Sequence, residues 1–78
     1  MLDKELKKIF TIIFKLRPNN IKKTTNFRNV KNWDSLSHVK LIMSIESKFK
    51  ISIDPDEALK LLSFNDIYNF IKKKNKIK

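Results

Sequence analysis

Residues 32–49 read NWDSLSHVKLIMSIESKF and predict a helix from about Ser35 to Phe49. Asp34 is the predicted N-cap, because its carboxylate can accept hydrogen bonds from backbone N–H groups of the first turn. At about 100° per residue, the apolar side chains of this helix form two faces. The first face consists of Leu41, Ile42, Ile45 and Phe49, and the second consists of Leu36, Val39 and Met43. A thin core covers one face, so the second indicates either a wide core contact or an exposed strip where a partner docks.

Three more helices are predicted around this one. Residues 3–16 form an amphipathic helix that ends before a proline, since proline disfavours helix in the residue that precedes it. Its apolar stripe consists of Leu2, Leu6, Ile9, Phe10, Ile13 and Leu16. Asp54 caps a short helix from about Pro55 to Leu62, and Ser63 caps the last helix. The predicted fold class is therefore all-α, with three main helices plus one short helix.

A long polar connection, residues 17–33, joins the first two predicted helices. It is rich in asparagine and has neither helical nor strand periodicity. Its expected core anchors are Ile21, Phe27, Val30 and Trp33. Long connections in small domains are usually functional or held by such anchors, and this one leads directly to Ser35.

The length and composition narrow the possible classes of protein. A chain of 78 residues predicts a single domain over residues 1–78. The absence of cysteine excludes disulfides, thiolate metal sites and a cysteine nucleophile, and it suits a reducing cytoplasm. The longest apolar runs, such as residues 12–14 and 41–43, are too short to cross a bilayer, and the first residues do not resemble a signal peptide. We therefore expect a cytoplasmic protein without a membrane span or a metal site.

The formal net charge of +10 is unevenly distributed along the chain. Residues 1–31 contain nine lysines and arginines and two acids, and residues 72–78 contain five lysines and no acid. Residues 32–71, in contrast, contain four bases and six acids. One interpretation is a small basic helical module that binds nucleic acid through its first helix and its tail, with salt-sensitive affinity. The other is that residues 72–78 form a solvated, frayed end.

Ser35 is the candidate functional residue of the predicted second helix. A serine after an acid at a helix start often serves only in capping. An anionic group attached to a hydroxyl in this first turn would, however, meet unpaired N–H groups and the positive end of the helix dipole. No general base, metal cluster or glycine-rich phosphate loop accompanies Ser35 in the sequence. We therefore expect Ser35 to be modified by another enzyme rather than to act as a catalyst.

The order of residues from 33 to 71 resembles the acyl carrier protein family. The resemblance rests on Asp34-Ser35-Leu36 followed by Val39, Leu41-Ile42-Met43, Ile45-Glu46, Phe49, Ile53, Asp56-Glu57-Ala58, Lys60-Leu61 and Asp66-Ile67. The Asp-Ser-Leu tripeptide is weak evidence alone, but the ordered series after it is specific. The likeness needs no gap over residues 33–71 and extends more loosely to the first helix.

The resemblance implies a role for each matching residue. Ser35 would carry a 4′-phosphopantetheine group derived from coenzyme A, whose terminal thiol holds an acyl chain as a thioester. Asp34 and Leu36 would be recognised by the enzyme that attaches the group. The implied docking residues are Leu36, Val39, Met43 and Glu46. The implied lining of the core, where family members shelter the acyl chain, is Ile42, Ile45, Phe49, Ile53, Ala58 and Leu61.

The resemblance also implies that the chain has no catalytic activity of its own and that partner enzymes supply the catalysis. They are a phosphopantetheinyl transferase, an acyl- or aminoacyl-activating ligase, and acyl-transferring or condensing enzymes, which would act on a monomeric carrier. An aminoacyl or peptidyl carrier with the same arm is an open alternative. No nucleic-acid partner is expected of a carrier.

Several positions depart from the fatty-acid members of the family, which are strongly acidic along the second helix. The positions that are often acidic there hold Ser37, Lys40, Ser47 and Lys48. Trp33 stands where those carriers usually have a small residue. Like charges exclude partners, so we predict a dedicated carrier for a specialised pathway. His38 is expected to be partly buried at the mouth of the pocket and bonded to the loop.

Overall fold

A computed structural model describes residues 2–75 and confirms the all-α fold. The helices are α1 (Leu2–Phe14), α2 (Ser35–Phe49), α3 (Pro55–Ala58) and α4 (Phe64–Asn75), with a short 3-10 turn at Pro18–Asn20. Within the described residues, the only pairing of strand type is an isolated antiparallel bridge between Asn26 and Ser63. None of the helices described is both long enough and apolar enough to span a membrane.

Helix α1 ends two residues earlier than the predicted boundary at residue 16. Lys15 adopts a left-handed backbone conformation with φ 57°, which terminates the helical hydrogen-bond pattern after Phe14. Arg17 then takes an extended conformation, as expected for a residue before proline. The chain therefore leaves α1 through a left-handed residue before the proline is reached.

Helix α2 has the predicted bounds, because both of its ends are capped locally. The carboxylate of Asp34 accepts a hydrogen bond of 2.9 Å from the Ser37 N–H. At the other end, Lys50 adopts φ 54° and donates its N–H to the Glu46 carbonyl. Ser35 is thus held at the first position of the helix.

Helix α3 is shorter than the predicted span of Pro55 to Leu62 and ends at Ala58. The backbone carbonyl of Leu62 accepts a 3.0 Å hydrogen bond from the Phe27 N–H, and the Phe64 N–H donates to the Thr25 carbonyl at 2.8 Å. These bonds tie the link between α3 and α4 to the long loop. After Ala58 the backbone forms turns instead of continuing the helix, and the Leu61 side chain is buried in the core.

Helix α4 begins as predicted, with the Ser63 hydroxyl accepting a 3.0 Å hydrogen bond from the Asp66 N–H. The expectation that the chain frays from Lys72 is wrong for residues 72–75, which are helical. Ile71 is fully buried, and the ammonium of Lys74 lies 3.8 Å from a Glu57 carboxylate oxygen and 5.3 Å from the centre of the Phe70 ring. These contacts extend the helix by one turn. Residues 76–78 of the predicted frayed end lie outside the described residues.

An aromatic cluster forms the centre of the core. Phe10 lies at ring-centre distances of 5.4 Å from Phe14, 5.6 Å from Trp33 and 5.2 Å from Phe64. The other fully buried side chains are Leu6, Leu41, Ile45, Ile67 and Ile71. The core therefore brings together α1, α2, α4 and the end of the long loop.

Three of the four predicted loop anchors are buried. These are Ile21, Val30 and Trp33. Phe27 is not an anchor, since it is 40% exposed. Its N–H pairs with the Leu62 carbonyl at the surface, which leaves the ring outside the core. The loop thus carries Phe27 as a surface residue close to the start of α2.

Candidate functional site

Ser35 is exposed and is the first residue of α2. The first turn of a helix has backbone N–H groups without intrahelical partners and carries the positive end of the helix dipole. An anionic group on the Ser35 hydroxyl would therefore be stabilised by its position. Solvent and other proteins can reach the Ser35 side chain.

Asp34 holds this first turn in place. The hydrogen bond from the Ser37 backbone N–H is the main cause that lowers the pKa of the Asp34 carboxyl, with a smaller contribution from the Ser37 hydroxyl. The carboxylate is therefore charged at neutral pH and engaged with Ser37. It fixes the backbone immediately beside Ser35.

We expect Asp34→Ala to lower the thermal midpoint of unfolding at neutral pH, because the Ser37 N–H loses its acceptor. Asp34→Asn keeps an acceptor and should retain most of the wild-type midpoint. Since the pKa of Asp34 is lowered by folding, its stabilisation is complete above the unfolded-state pKa and is lost as the pH falls through the folded-state value. Thermal melts over a pH series test this. An equal deficit of Asp34→Ala at neutral and strongly acidic pH would contradict it.

A groove of about 300 Å³ lies beside Ser35. Its lining comes from three separate segments, namely the long loop, the start of α2 and the link after α3. The lining residues are Phe27, Trp33, Asp34, Ser35, His38 and Leu62. The sequence did not indicate Phe27 or Leu62 as site residues, because the backbone pairing between them joins distant parts of the chain.

Trp33, His38 and Ala58 form a chain of two hydrogen bonds at this groove. The indole N–H of Trp33 donates to Nδ1 of His38 at 3.0 Å, so Nε2 of the neutral imidazole carries the proton and faces the Ala58 carbonyl at 2.8 Å. The two rings are stacked, with an interplanar angle of 24°. The predicted position of His38, partly buried and bonded to the loop, is confirmed.

The second apolar face of α2 is an exposed strip rather than a wide core contact. Leu36 is 66% exposed, Val39 53% and Met43 62%. Lys40 lies on the same outward side of the helix and is also exposed. Three exposed apolar side chains next to Ser35 are a physical basis for docking another protein.

The residues expected to line the core lie on the inner side of α2 or opposite it. Ile42, Ile45, Ile53 and Leu61 are buried, and Phe49 and Ala58 are half-buried. They pack as side chains of one core cluster. Their position is therefore as predicted, and a role in sheltering an acyl chain is a prediction.

Glu46 has a structural contact that the sequence did not reveal. Its Oε2 accepts a 2.9 Å hydrogen bond from the Ile53 N–H and so connects α2 to the segment before α3. A salt bridge joins α2 to α1. The Lys48 ammonium lies 3.0 Å from a carboxylate oxygen of Glu5, and it lowers the pKa of the Glu5 carboxyl. Glu46 thus has a structural role in connecting these segments, and its docking role stays a prediction.

Comparisons with known proteins agree on the class of this site. The family model described as "Phosphopantetheine attachment site" matches residues 4–71. The chain is 35% identical to an acyl carrier protein of Buchnera aphidicola subsp. Schizaphis graminum over 75 residues, which cover 96% of this chain and 95% of the relative. It is 33% identical to one from Campylobacter fetus over 67 residues, 86% of this chain and 87% of the relative.

Another relative has a higher sequence identity to this chain over a shorter aligned segment. An acyl carrier protein of Desulforapulum autotrophicum is 50% identical over 42 residues, which span 54% of each chain. The chain therefore matches about half the length of that relative and nearly the whole length of others.

Proposed function

Because the chain belongs to the acyl carrier protein family, whose members carry a covalent 4′-phosphopantetheine group, we propose that Ser35 is the residue that carries it. The chain would deliver an acyl intermediate to partner enzymes. When bound, the group supplies a terminal thiol that holds the acyl chain as a thioester. Acyl carrier proteins are carriers and not enzymes, so catalysis comes from the partners. The exposed Ser35 hydroxyl in the first turn of α2 is the observation that carries this proposal.

The surroundings of Ser35 fit a phosphodiester. The N-terminal end of α2 favours negative charge there, and the Asp34 carboxylate is engaged by the Ser37 N–H. The groove beside Ser35 leaves room for a covalent arm to leave the helix without displacing a core side chain. This chain's residues therefore position and orient the attachment point.

The exposed strip of Leu36, Val39 and Met43 is the proposed docking surface for the transferase and for acyl-activating, acyl-transferring or condensing enzymes. Lys40 adds positive charge to the strip, while the acid of this helix, Glu46, is bonded to the Ile53 N–H. Partner surfaces that combine apolar and acidic residues fit this surface better than basic ones. This supports a dedicated carrier for a specialised pathway, which we expect to act as a monomer in the cytoplasm.

We expect Leu36→Ala to lower kcat/KM for transfer of the arm by about 5- to 30-fold, because an exposed apolar contact beside the reacting hydroxyl is lost. The measurement uses the carrier as the varied substrate of a phosphopantetheinyl transferase. Ile12→Ala is the matched control, since Ile12 is 76% exposed but lies on α1. Equal losses in the two variants would contradict a docking role for the strip.

Intact-protein mass spectrometry tests the proposed function directly. The chain is incubated with coenzyme A and a broad-specificity phosphopantetheinyl transferase, and wild type should gain the mass of one phosphopantetheine group. A wild-type chain that stays unmodified with the matching transferase of its own cell would overturn the proposal. Subsequent incubation with acyl-activating and aminoacyl-activating ligases separates an acyl carrier, favoured by the names of the relatives, from an aminoacyl carrier.

A further inference from the structure

The exposed apolar side chains of the protein are concentrated near Ser35. Six large hydrophobic residues are exposed in the described part of the chain, and four of them lie on the strip or in the groove beside Ser35. Leu36, Val39 and Met43 form the strip, and Phe27, which is 40% exposed, lines the groove. This side of the molecule therefore carries most of its large apolar contacts with solvent.

Three exposed cations accompany these apolar side chains. Lys40 lies on the same outward side of α2 as the strip. The guanidinium of Arg28 lies 5.6 Å from the centre of the Phe27 ring and covers one face of it. Lys31 comes two residues before Trp33, which lines the groove. We call the strip, Phe27 and these three cations the Ser35 face.

The cations of the Ser35 face are available to an external anion. Within residues 2–75 the salt bridges use other lysines, namely Lys7, Lys48 and Lys74. Asp34 is the acid next to Ser35, and its carboxylate already accepts the Ser37 N–H. Residues 15–31, which lead to the face, contain six exposed bases and no acid. The formal net charge of +10 adds a long-range attraction to any extended anionic surface.

A lipid bilayer with anionic headgroups fits this face better than a nucleic acid does. Such a bilayer attracts clustered lysine and arginine and also accepts apolar side chains among its headgroups. Contacts to nucleic-acid phosphates would leave the aliphatic strip in water. One face of the Phe27 ring is closed to base stacking by Arg28, and the side-chain N–H groups of Asn26 and Asn29 are bonded to the Thr24 carbonyl.

We propose that the Ser35 face binds the surface of an anionic lipid bilayer. The apolar side chains contact the headgroup region, and Arg28, Lys31 and Lys40 contact lipid phosphates. Ser35 lies between Phe27 and the strip, so an arm attached there begins at the membrane surface and reaches acceptors held in it. Lipid binding itself needs no modification of Ser35, and only this consequence for delivery rests on the proposed function.

Co-sedimentation with vesicles tests the proposal on the unmodified wild-type chain. At about 0.1 M salt the chain should bind vesicles made of equal parts of phosphatidylglycerol and phosphatidylcholine, and it should not bind vesicles of phosphatidylcholine alone. Raising the salt to about 1 M should release most of the bound chain, because the attraction is then screened. Failure to bind the anionic vesicles, or equal binding to both kinds, would overturn the proposal.

Lys31→Glu and Lys50→Glu separate the Ser35 face from the net charge. Each replaces an exposed lysine and lowers the net charge by two units. Lys50 follows the C-terminal end of α2, whose 15 residues span about 22 Å. Lys31→Glu should lower the partition coefficient by about 25-fold, or about 5-fold per unit of charge, and Lys50→Glu by less than about 3-fold. Equal losses would mean that total charge drives binding and would refute the assigned face.

Met43→Ala tests the apolar part of the face, with Ile12→Ala as its matched control. Met43 is 62% exposed and Ile12 is 76% exposed, but only Met43 lies on the face. Met43→Ala should weaken binding to the anionic vesicles by about 5-fold or more, because its side chain loses contact with lipid. Ile12→Ala should bind as wild type does. The same affinity in both variants would show that the strip does not touch the bilayer and would overturn the proposal.

A fluorescently labelled DNA duplex provides the competing outcome. Tighter binding to the duplex than to the anionic vesicles at equal salt would overturn the proposal in favour of a nucleic-acid partner. Because every vesicle measurement uses the unmodified chain, a chain that accepts no phosphopantetheine leaves the lipid result standing. A chain that accepts the group but ignores anionic vesicles refutes the membrane contact alone.

Discussion

Ser35→Ala is expected to abolish transfer of phosphopantetheine to the chain completely, as intact-protein mass spectrometry would measure after incubation with coenzyme A and a transferase. The variant removes the only atom that we assign to the covalent bond, so no slower residual reaction is expected. Its fold should be intact, because Ser35 is exposed and Asp34, not Ser35, caps α2. A circular dichroism melt that matches wild type establishes that the loss is chemical.

Ser37→Ala is the matched control for this prediction. Ser37 lies in the same turn of α2, and alanine at this position retains the backbone N–H that makes the 2.9 Å hydrogen bond to Asp34. This variant should still gain one phosphopantetheine group. If Ser35→Ala were still modified and Ser37→Ala were not, the attachment site would be Ser37, and the assignment to Ser35 would be wrong.

Phe10→Ala is expected to destabilise the chain by about 3–5 kcal/mol, the usual cost of removing a fully buried aromatic side chain. Phe10 contacts three other aromatic rings, so the cavity would lie at the junction of α1, the loop and α4. A protein of 78 residues has a total stability of roughly 4–12 kcal/mol, so the variant would be marginally folded or unfolded. Urea denaturation followed by the fluorescence of Trp33 measures the change.

Ile12→Ala on the same helix provides the comparison for Phe10→Ala. Because Ile12 is 76% exposed, its truncation should change the free energy of unfolding by about 0.5 kcal/mol or less. A loss at Phe10 no larger than that at Ile12 would show that the aromatic cluster does not hold the fold together. Phe10 also supports the candidate site, because its ring packs against that of Trp33, which lines the groove beside Ser35.

The bounds of α2 and the identity of the candidate site could be predicted from local patterns. Asp34 caps the helix through a backbone group only three residues away, and the helical period places Ile42 and Ile45 together on one side. Ser63 starts α4 by the same kind of local bond. Such interactions depend on neighbouring residues alone, so they can be recognised without knowledge of the rest of the fold.

The length of α3 and the exposure of Phe27 could not be predicted in this way. Both depend on the hydrogen bond between the Phe27 N–H and the Leu62 carbonyl, which joins segments far apart in the chain. The contact of Glu46 with the Ile53 N–H is equally invisible to helical periodicity, and the family resemblance implied only a docking role for Glu46. In each case the deciding hydrogen bond involves a backbone N–H of a segment that connects two helices.

The sequence by itself determined where the helices α2 and α4 begin, which residues could form a core, and that Ser35 occupies a helix start. Only the tertiary structure decided which apolar face of α2 was covered and which residues line the groove beside Ser35. The physical reason is that capping and periodicity act over one or two turns, whereas Leu36, Val39 and Met43 are exposed because α1 packs against α2 on the opposite side of that helix. Trp33, His38 and Ala58 likewise meet only after the loop and α3 have folded against α2.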